Sequence, residues 1–230
     1  MTKANRYFTA NSMSFLRKLD RHNNRDWFES NRTDYEETVR TPALAFIADM
    51  ADDLAVLSPH FLAQPKKVGG SLMRVHRDVR FGKDKRPYKT NIGIQFRHEQ
   101  GKDVHAPGFY VHIEPGDCFV GVGIWRPDAL ALGKIRDVIA EQPGKWETAI
   151  SGKAFNKLFT LSGDSLTNPP RGYTKDHPLI EDLKRKDFIA IAAVNDDQVM
   201  RAGFKKLVLD HFQAADDFMQ FLCQALELRY

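Results

Sequence analysis

The stretch GFYVHIEPGDCFVGVGIW, residues 108–125, decides how the middle of this chain folds. Apolar residues occupy positions 109, 111 and 113, whereas polar residues occupy positions 110, 112 and 114. This period of two is typical of a β-strand that buries one face. A second alternating run, 118–125, follows Pro115, Gly116 and Asp117, a combination that favours a tight turn. The stretch therefore predicts two antiparallel strands, 108–114 and 118–125, joined by that turn.

Further strands are predicted on both sides of this hairpin. Residues 71–76 and 91–98 alternate in the same way, and the apolar run 188–194 predicts a buried strand. The connections within residues 71–125 are short, so neighbouring strands are expected to be antiparallel and to form a meander. Residues 161–173 are rich in Ser, Gly, Asn and Pro and predict a loop or an irregular hairpin.

Helical spacing of apolar residues dominates the two ends of the chain. In the N-terminal part, Thr41 and Pro42 either kink a long helix or begin its second half. Residues 207–226 predict one long amphipathic helix that packs against the sheet. We therefore predict one α+β domain over residues 1–230, with a mainly antiparallel sheet (meander) packed by N-terminal and C-terminal helices. Its parts are a helical region 9–58, a strand-rich region 71–125 and a mixed region 126–230.

Basic residues are concentrated in one segment, 66–89, which we call the basic segment. It contains nine lysines and arginines against two aspartates, a local net charge of +7, whereas the whole chain carries +4. A basic patch on an otherwise slightly acidic chain favours an anionic partner, which could be a small phosphate compound, nucleic acid or an acidic protein. A solvated loop with internal ion pairs is the alternative.

The apolar runs, the N-terminus and the cysteines indicate where in the cell the protein is expected. The longest apolar runs are far shorter than the roughly 20 residues that cross a bilayer, and polar residues follow the basic N-terminus where a signal peptide needs an apolar run. Cys118 and Cys223 have no second cysteine nearby. We therefore expect a cytoplasmic protein with buried thiols and no membrane partner.

The polar positions of the predicted strands are expected to share one face of the sheet. On that face, two glycines without side chains would form a floor between Phe119 and Trp125. The expected result is a small pocket, although an exposed polar face with glycines at a bulge is the alternative. The predicted lining comprises His76, Tyr110, Gly121, Gly123 and Trp125.

Charged and titratable residues surround this predicted pocket. Guanidinium groups bind phosphate or carboxylate through two hydrogen bonds, and lysines add point charges. His112 and Glu114 are the candidates for catalytic acid–base chemistry, because both can transfer a proton. The predicted anion-binding residues are Arg74, Arg77, Arg80, Lys85, Lys89 and Arg97.

Standard catalytic motifs are missing from the sequence. It has no glycine-rich phosphate loop, no nucleophile elbow and no HExxH. His98, His105 and His112 are seven residues apart, which does not indicate a metal. The sequence thus assigns no residue to a metal site, and it leaves metal dependence, the cofactor and the oligomeric state open.

Several segments together resemble a known family. They are NNRDWFE (23–29), RDVRF (77–81), PYK (87–89), YVHIEPG (110–116) and GVGIW (121–125). Their combination resembles the domain of unknown function 2461, a widespread bacterial and fungal family. The resemblance extends from about Phe15 to the C-terminal helix. It implies a one-domain α+β fold, and it implies no activity, substrate or cofactor.

Three functional hypotheses remain open. The first is an anion-binding pocket that acts on a phosphate-bearing small molecule. The second is a noncatalytic module that binds nucleic acid or an acidic protein, with Phe81, Tyr88 or Trp125 available for stacking. The third is a purely structural basic segment, whose charges pair with acidic residues of the N-terminal helices such as Asp26 and Glu29.

Overall fold

The structure is a computed structural model that describes residues 7–80, 84–101 and 106–230. In these residues six strands form one antiparallel sheet in the order β1-β2-β3-β4-β6-β5, which confirms the α+β class. The strands are β1 (Phe61–Leu62), β2 (Ile92–His98), β3 (Gly108–Ile113), β4 (Cys118–Ile124), β5 (Thr160–Ser162) and β6 (Phe188–Val194).

Helices precede and follow the central strands. The N-terminal helices are α1 (Ala10–Arg21), α2 (Arg25–Ser30), α3 (Arg32–Tyr35) and α4 (Thr41–Leu57), with a π-helical turn (Glu36–Arg40) before α4. The later helices are α5 (Ala129–Glu141), α6 (Pro143–Ser151), α7 (Lys153–Leu158), α8 (Ile180–Leu183), α9 (Asp196–Val199), α10 (Phe204–Ala214) and α11 (Asp216–Ala225). Pro42 lies in the first turn of α4, directly after the π-helical turn, so the helical backbone continues from residue 36 through residue 57. Within the described ranges, no helix has both the length and the apolar character needed to cross a bilayer.

The two faces of the sheet have different surroundings. One face is buried along the central strands: Phe109 packs 4.5 Å from Phe212 of α10, and Phe188 packs 5.7 Å from Trp146 of α6, measured between ring centroids. The opposite face, which we call the open face, is only partly covered. The strand period predicted this division, because side chains two residues apart point to the same side.

The prediction of a strand at residues 71–76 is wrong. Leu72 makes one isolated bridge with Ile94 of β2, and His76 then bridges Tyr88. Strand β1 already pairs with the C-terminal end of β2, so only a short part of that edge remains for this segment. The segment therefore has two partners in succession and forms no regular strand.

The prediction of one helix over residues 207–226 is also wrong. Two helices, α10 and α11, are separated at Ala215, which is fully buried. Asp216 and Asp217 lie in the first turn of α11, where carboxylates interact favourably with the helix N-terminus. Both helices bury apolar side chains, so the apolar spacing continues across the break and does not reveal it.

Strands β5 and β6 complete the sheet next to the predicted hairpin. β6 pairs with β4 along its whole length, from Cys118 opposite Val194 to Ile124 opposite Phe188. β5 then pairs with the other edge of β6, so the region predicted as a loop from residue 161 begins inside a short strand. This arrangement places β4 in the middle of the sheet, with its glycines far from either edge.

Candidate functional site

The open face brings glycine, aromatic and titratable residues together. Tyr110 on β3 lies opposite Gln95 of β2 on one side and Gly121 of β4 on the other. His112, two residues further along β3, lies opposite Phe119 of β4. The register of three strands thus assembles on one surface the polar positions that the sequence predicted separately.

A cavity of about 320 Å³ lies on this face. Tyr110, Phe119 and Trp125 contribute aromatic rings to its lining. Glycine and apolar side chains form most of the rest, so the cavity suits a flat apolar group better than a bare ion. The other lining residues are Met73, Gln95, Gly108, Gly121, Val122, Gly123, Ile189 and Ile191.

Most of the residues predicted to line the pocket lie around this cavity. Tyr110, Gly121, Gly123 and Trp125 are all part of its lining. His76 is exposed and lies elsewhere, beside a second cavity that the N-terminal helices also line. His76 was predicted in the pocket because a strand was expected to continue through residue 76, whereas His76 bridges Tyr88 instead of the sheet.

Two glycines leave space on the open face, one for the cavity and one for the Tyr110 side chain. A Cβ atom at Gly121 would lie 3.7 Å from the side chains of Tyr110 and Phe119, so a larger side chain there would extend into the cavity. A Cβ atom at Gly93 would come within 2.8 Å of the Tyr110 hydroxyl oxygen. The lack of a side chain at residue 93 therefore makes room for that hydroxyl.

A chain of hydrogen bonds leads along the open face from Tyr110 to the end of β3. The Tyr110 hydroxyl lies 3.1 Å from His112 Nδ1, and His112 Nε2 lies 3.2 Å from Glu114 Oε2. The Thr90 hydroxyl donates to the other Glu114 oxygen, and the Asn91 amide lies 3.3 Å from His112 Nδ1. Burial, reinforced by the nearby Glu114 charge, raises the pKa of Tyr110 to about 12. The residues predicted as an acid–base pair thus contact each other, and Tyr110 connects them to the cavity.

The turn after β3 brings a third ionisable side chain to this pair. The Asp117 N–H donates to the Glu114 carbonyl at 2.8 Å, and Gly116 between them has φ +87°. One ligand atom each from His112, Glu114 and Asp117 lies within 4.8 Å of the others, a spacing at which one metal ion could contact all three. Asp117 was not among the site residues predicted from the sequence. The available signal was the turn itself, which places Asp117 across from Glu114.

Several cations of the basic segment contact groups within the segment. Arg77 lies 2.6 Å from Asp84, and Arg80 lies 2.7 Å from Asp78. Lys85 donates to a backbone carbonyl of the segment at 2.9 Å. The described lining of the open-face cavity includes none of these three cations. Their contacts hold the segment in shape.

The segment is also attached to the N-terminal helices. Arg86 lies 2.7 Å from Asp20 of α1. The Asn23 side chain donates to the Tyr88 carbonyl and accepts from the Tyr88 N–H, each at 3.0 Å. A side-chain amide that satisfies both backbone groups of one residue fixes the position of that residue. The segment is thus held against the helices at two neighbouring points.

These attachments differ from those that the structural hypothesis named. Glu29 pairs with Arg32 of α3 at 2.8 Å, and in the described ranges Asp26 makes no ion pair with the basic segment. Trp125, one of the predicted stacking residues, is 44% exposed, with the Arg126 guanidinium 4.6 Å from its ring centroid. Phe81, another predicted stacking residue, lies outside the described residues.

Replacing Arg86 with methionine is expected to raise the pKa of Asp84. Hydrogen bonds from the Arg86 side chain and backbone hold that pKa at about 2, below its ordinary 3.8, and Arg77 lowers it further. A depressed carboxyl pKa stabilises the fold above its unfolded value, and the contribution is lost as the pH falls from about 3.8 to about 2. We expect an NMR titration of the Asp84 carboxyl carbon to show a midpoint near 2. In Arg86→Met the midpoint should move towards 3.8. Arg80→Met is the control, and equal midpoints in all three proteins would contradict the assignment.

Lys89 differs from the other predicted anion-binding residues in its surroundings. It is half-buried, and its Nζ lies 4.0 Å from the Sδ atom of Met73, which lines the cavity. Burial lowers the pKa of Lys89 below its ordinary value, and the charges of Arg74 and Arg77 lower it further. No carboxylate within the described part of the chain forms an ion pair with Lys89. A half-buried ammonium group, with no carboxylate partner among the described residues, thus lies next to an apolar cavity.

Arg74 and Arg97 are the two remaining residues predicted to bind an anion. Arg74 is exposed, and its guanidinium lies 4.0 Å from Asp78. Its positive charge lowers the pKa of Lys89. Arg97 lies on the open face opposite Gly108, which lines the cavity. Of the six predicted anion-binding residues, Lys89 thus contacts the lining residue Met73, and Arg97 lies opposite the lining residue Gly108.

Comparison with known proteins gives one match. The model of the family DUF2461, described as conserved hypothetical protein, matches residues 11–221 of the 230-residue chain. The comparisons with curated proteins and with solved structures returned no match. The matched range covers both the cavity residues and the basic segment.

Proposed function

Because the chain belongs to the DUF2461 family, whose description names no reaction, we propose its function from the geometry of the open face. The proposed function is to bind a small molecule that combines a flat apolar group with one phosphate or similar anion. The observation that carries the proposal is the position of Lys89, half-buried beside the cavity without a carboxylate partner among the described residues.

The free-energy cost of partly burying the Lys89 charge without a carboxylate partner supports an anionic ligand. A charged group that is removed from water without a partner destabilises a protein, and nearby cations add to that cost. Arg74 and Arg77 are close enough to lower the pKa of Lys89. An anion bound at Lys89 would neutralise this excess positive charge. Phosphate fits best, because its charge of up to −2 can interact with more than one cation at once.

The cavity supports the apolar part of the proposed ligand. Its volume of about 320 Å³ is at the lower end of the range for small-molecule sites, about 300–1,000 Å³. Tyr110, Phe119 and Trp125 offer ring faces, and Gly121 leaves open the space between the rings. A single aromatic ring that carries a phosphate is thus the simplest molecule with the proposed chemistry.

Phenyl phosphate is expected to bind the wild-type protein more tightly than phenol does, and Lys89→Met is expected to abolish that difference. Loss of a partly desolvated charge–phosphate contact should weaken phosphate binding by about 10-fold or more, since such hydrogen bonds contribute roughly 1.5–3 kcal/mol. Isothermal titration calorimetry on both ligands measures the effect directly. Phenol binding should stay unchanged in Lys89→Met, because the cavity keeps its apolar lining.

Two matched variants make this test specific. Lys85→Met removes an exposed lysine of the same segment, whose Nζ donates to the Val79 carbonyl, so it should leave both affinities unchanged. Gly121→Val should weaken phenol and phenyl phosphate alike, because its methyl groups would fill the cavity. Equal binding of phenyl phosphate by wild type, Lys89→Met and Gly121→Val would contradict the proposal.

Nucleic acid provides a comparison ligand from the second hypothesis. Binding through many backbone phosphates weakens steeply with salt, whereas binding of one phosphate in a partly enclosed site weakens less. Tight binding of short DNA that disappears at moderate salt, with no response to phenyl phosphate, would favour the noncatalytic module. The acid–base roles of His112 and Glu114 stay a prediction, and ligand binding does not depend on them.

A further inference from the structure

The hairpin that joins β3 and β4 carries a group of metal-binding side chains outside the cavity lining. Glu114 directly follows β3, two residues after His112, and the two side chains lie on the same face, with His112 Nε2 3.2 Å from Glu114 Oε2. The register pairs His112 with Phe119, and its continuation pairs Glu114 with Asp117 across the turn. From this juxtaposition we propose that His112, Glu114 and Asp117 bind one divalent transition-metal ion.

The distances suit such an ion. One ligand atom from each residue lies within 4.8 Å of the other two, and His112 Nε2 lies 3.2 Å from Glu114 Oε2. Metal–ligand bonds to nitrogen and oxygen are about 2.0–2.2 Å long, so ligand atoms around one ion are separated by roughly 3–4 Å. Small side-chain rotations are therefore sufficient to bring all three atoms onto one ion.

Neighbouring residues already orient two of the three side chains. The Thr90 hydroxyl donates to Glu114 Oε1, which leaves Oε2 directed towards His112. At the other ring nitrogen, His112 Nδ1 lies 3.1 Å from the Tyr110 hydroxyl. The His112 ring also stacks on Phe119, with centroids 4.6 Å apart and an interplanar angle of 8°. Metal-binding histidines are commonly fixed in this way through their second nitrogen.

The local charge supports a cation at this position. Neither Glu114 nor Asp117 forms an ion pair with a lysine or arginine in the described ranges. The other acidic group at the turn, Asp196, accepts a hydrogen bond from the Gly116 N–H and already pairs with Arg17. Two adjacent carboxylates without a lysine or arginine partner repel each other, and a divalent ion bound between them would attract both.

The donor set restricts the kind of metal. One imidazole and two carboxylates suit Mn²⁺, Fe²⁺ or Zn²⁺, whereas Mg²⁺ prefers oxygen ligands and soft Cu⁺ prefers sulfur. The nearby Cys118 thiol instead donates to the Glu114 carbonyl at 3.1 Å. Three protein ligands leave coordination positions open for water or for an anion. In this role His112 and Glu114 hold the metal rather than transfer protons themselves.

The metal site does not depend on the proposed small-molecule ligand. Phe119 connects the two regions, because it lines the cavity and stacks on His112. Metal binding can nevertheless be measured without any organic molecule, so the two proposals succeed or fail separately.

Mn²⁺ binding to the chelator-treated full chain tests the site. We expect one Mn²⁺ per chain by electron paramagnetic resonance titration, and at least 10-fold weaker binding in Asp117→Asn. Asp117 is exposed, so this variant should keep its fold, which circular dichroism can check. The matched control is Asp176→Asn, which changes an exposed aspartate of a distant turn and should bind Mn²⁺ like the wild type.

Nitrogen ligation separates this site from loose binding to surface carboxylates. Pulsed electron paramagnetic resonance of the Mn²⁺ complex should detect a coordinated imidazole nitrogen, and this signal should be absent in His112→Gln. Equal Mn²⁺ affinity of wild type, Asp117→Asn and Asp176→Asn would overturn the proposal. So would a wild-type complex without a nitrogen signal, or no binding of Mn²⁺ at millimolar concentration.

Discussion

Gly123→Ala is expected to destabilise the protein by about 4 kcal/mol, which is at the upper end for a single substitution. Gly123 has φ +113°, a conformation that residues with a side chain rarely adopt. A Cβ atom there would lie only 2.1 Å from the Phe188 carbonyl oxygen on β6. Relief of that overlap requires β4 and β6 to separate in the middle of the sheet, where their backbone hydrogen bonds would be lost.

Urea unfolding followed by tryptophan fluorescence measures this effect. Gly121→Ala is the matched control, because Gly121 lies on the same strand and the same face without a left-handed φ. Its new Cβ atom would make ordinary contacts of 3.7 Å, so a change within about 1 kcal/mol is expected. Equal unfolding midpoints for Gly123→Ala and Gly121→Ala would contradict this prediction. They would show that small backbone shifts relieve the overlap with little loss of unfolding free energy. The comparison separates a glycine required by the backbone from one that leaves space for a ligand.

Asp187→Ala is expected to destabilise the protein by about 3 kcal/mol, because it removes a charged acceptor of two backbone hydrogen bonds, and hydrogen bonds to charged groups contribute roughly 1.5–3 kcal/mol each. The Asp187 residue is only 2% exposed. Its carboxylate accepts from the Arg126 N–H at 2.7 Å and from the Asp164 N–H at 2.8 Å. These donors belong to the segments that follow β4 and β5, so one side chain joins the ends of both strands to the start of β6.

The same urea experiment tests the role of Asp187. Asp187→Asn should lose less stability than Asp187→Ala, because the amide keeps one oxygen that can accept a hydrogen bond. Asp176→Ala is the control for removing an exposed aspartate, and its effect should stay within about 0.5 kcal/mol. A loss below 1 kcal/mol in Asp187→Ala would mean that water replaces the carboxylate at both N–H groups.

The division of the sheet into two faces could be predicted from residues 108–125 alone. Strand geometry forces side chains two residues apart to the same side, and this rule needs no information about distant parts of the chain. It placed Tyr110, Gly121 and Trp125 on one surface, and the structure shows them around one cavity. The same rule failed for His76, because it holds only while the chain remains in the sheet.

The basic segment shows that amino-acid composition does not predict which contacts a charged side chain makes. Its charge density could be counted from the sequence, and the aspartates that pair with Arg77 and Arg80 are close in the chain. Its attachment to α1 could not be predicted, because Arg86 and Asp20 are 66 residues apart. The distinct surroundings of Lys89 depend on how the segment folds back across Met73. Counting charges alone therefore does not distinguish a paired surface cation from a half-buried unpaired one.

The sequence by itself determined the strand period, the turn between β3 and β4, the helical ends and hence the α+β class. These features depend on interactions between residues that are close in the chain. Only the tertiary structure decided that β6 lies between β4 and β5 and that Lys89 lies beside the cavity. It also decided that the C-terminal helical region is divided at Ala215 into α10 and α11. Each of these depends on which distant groups come into contact, and the contacts are selected by the packing of the whole chain rather than by any local pattern.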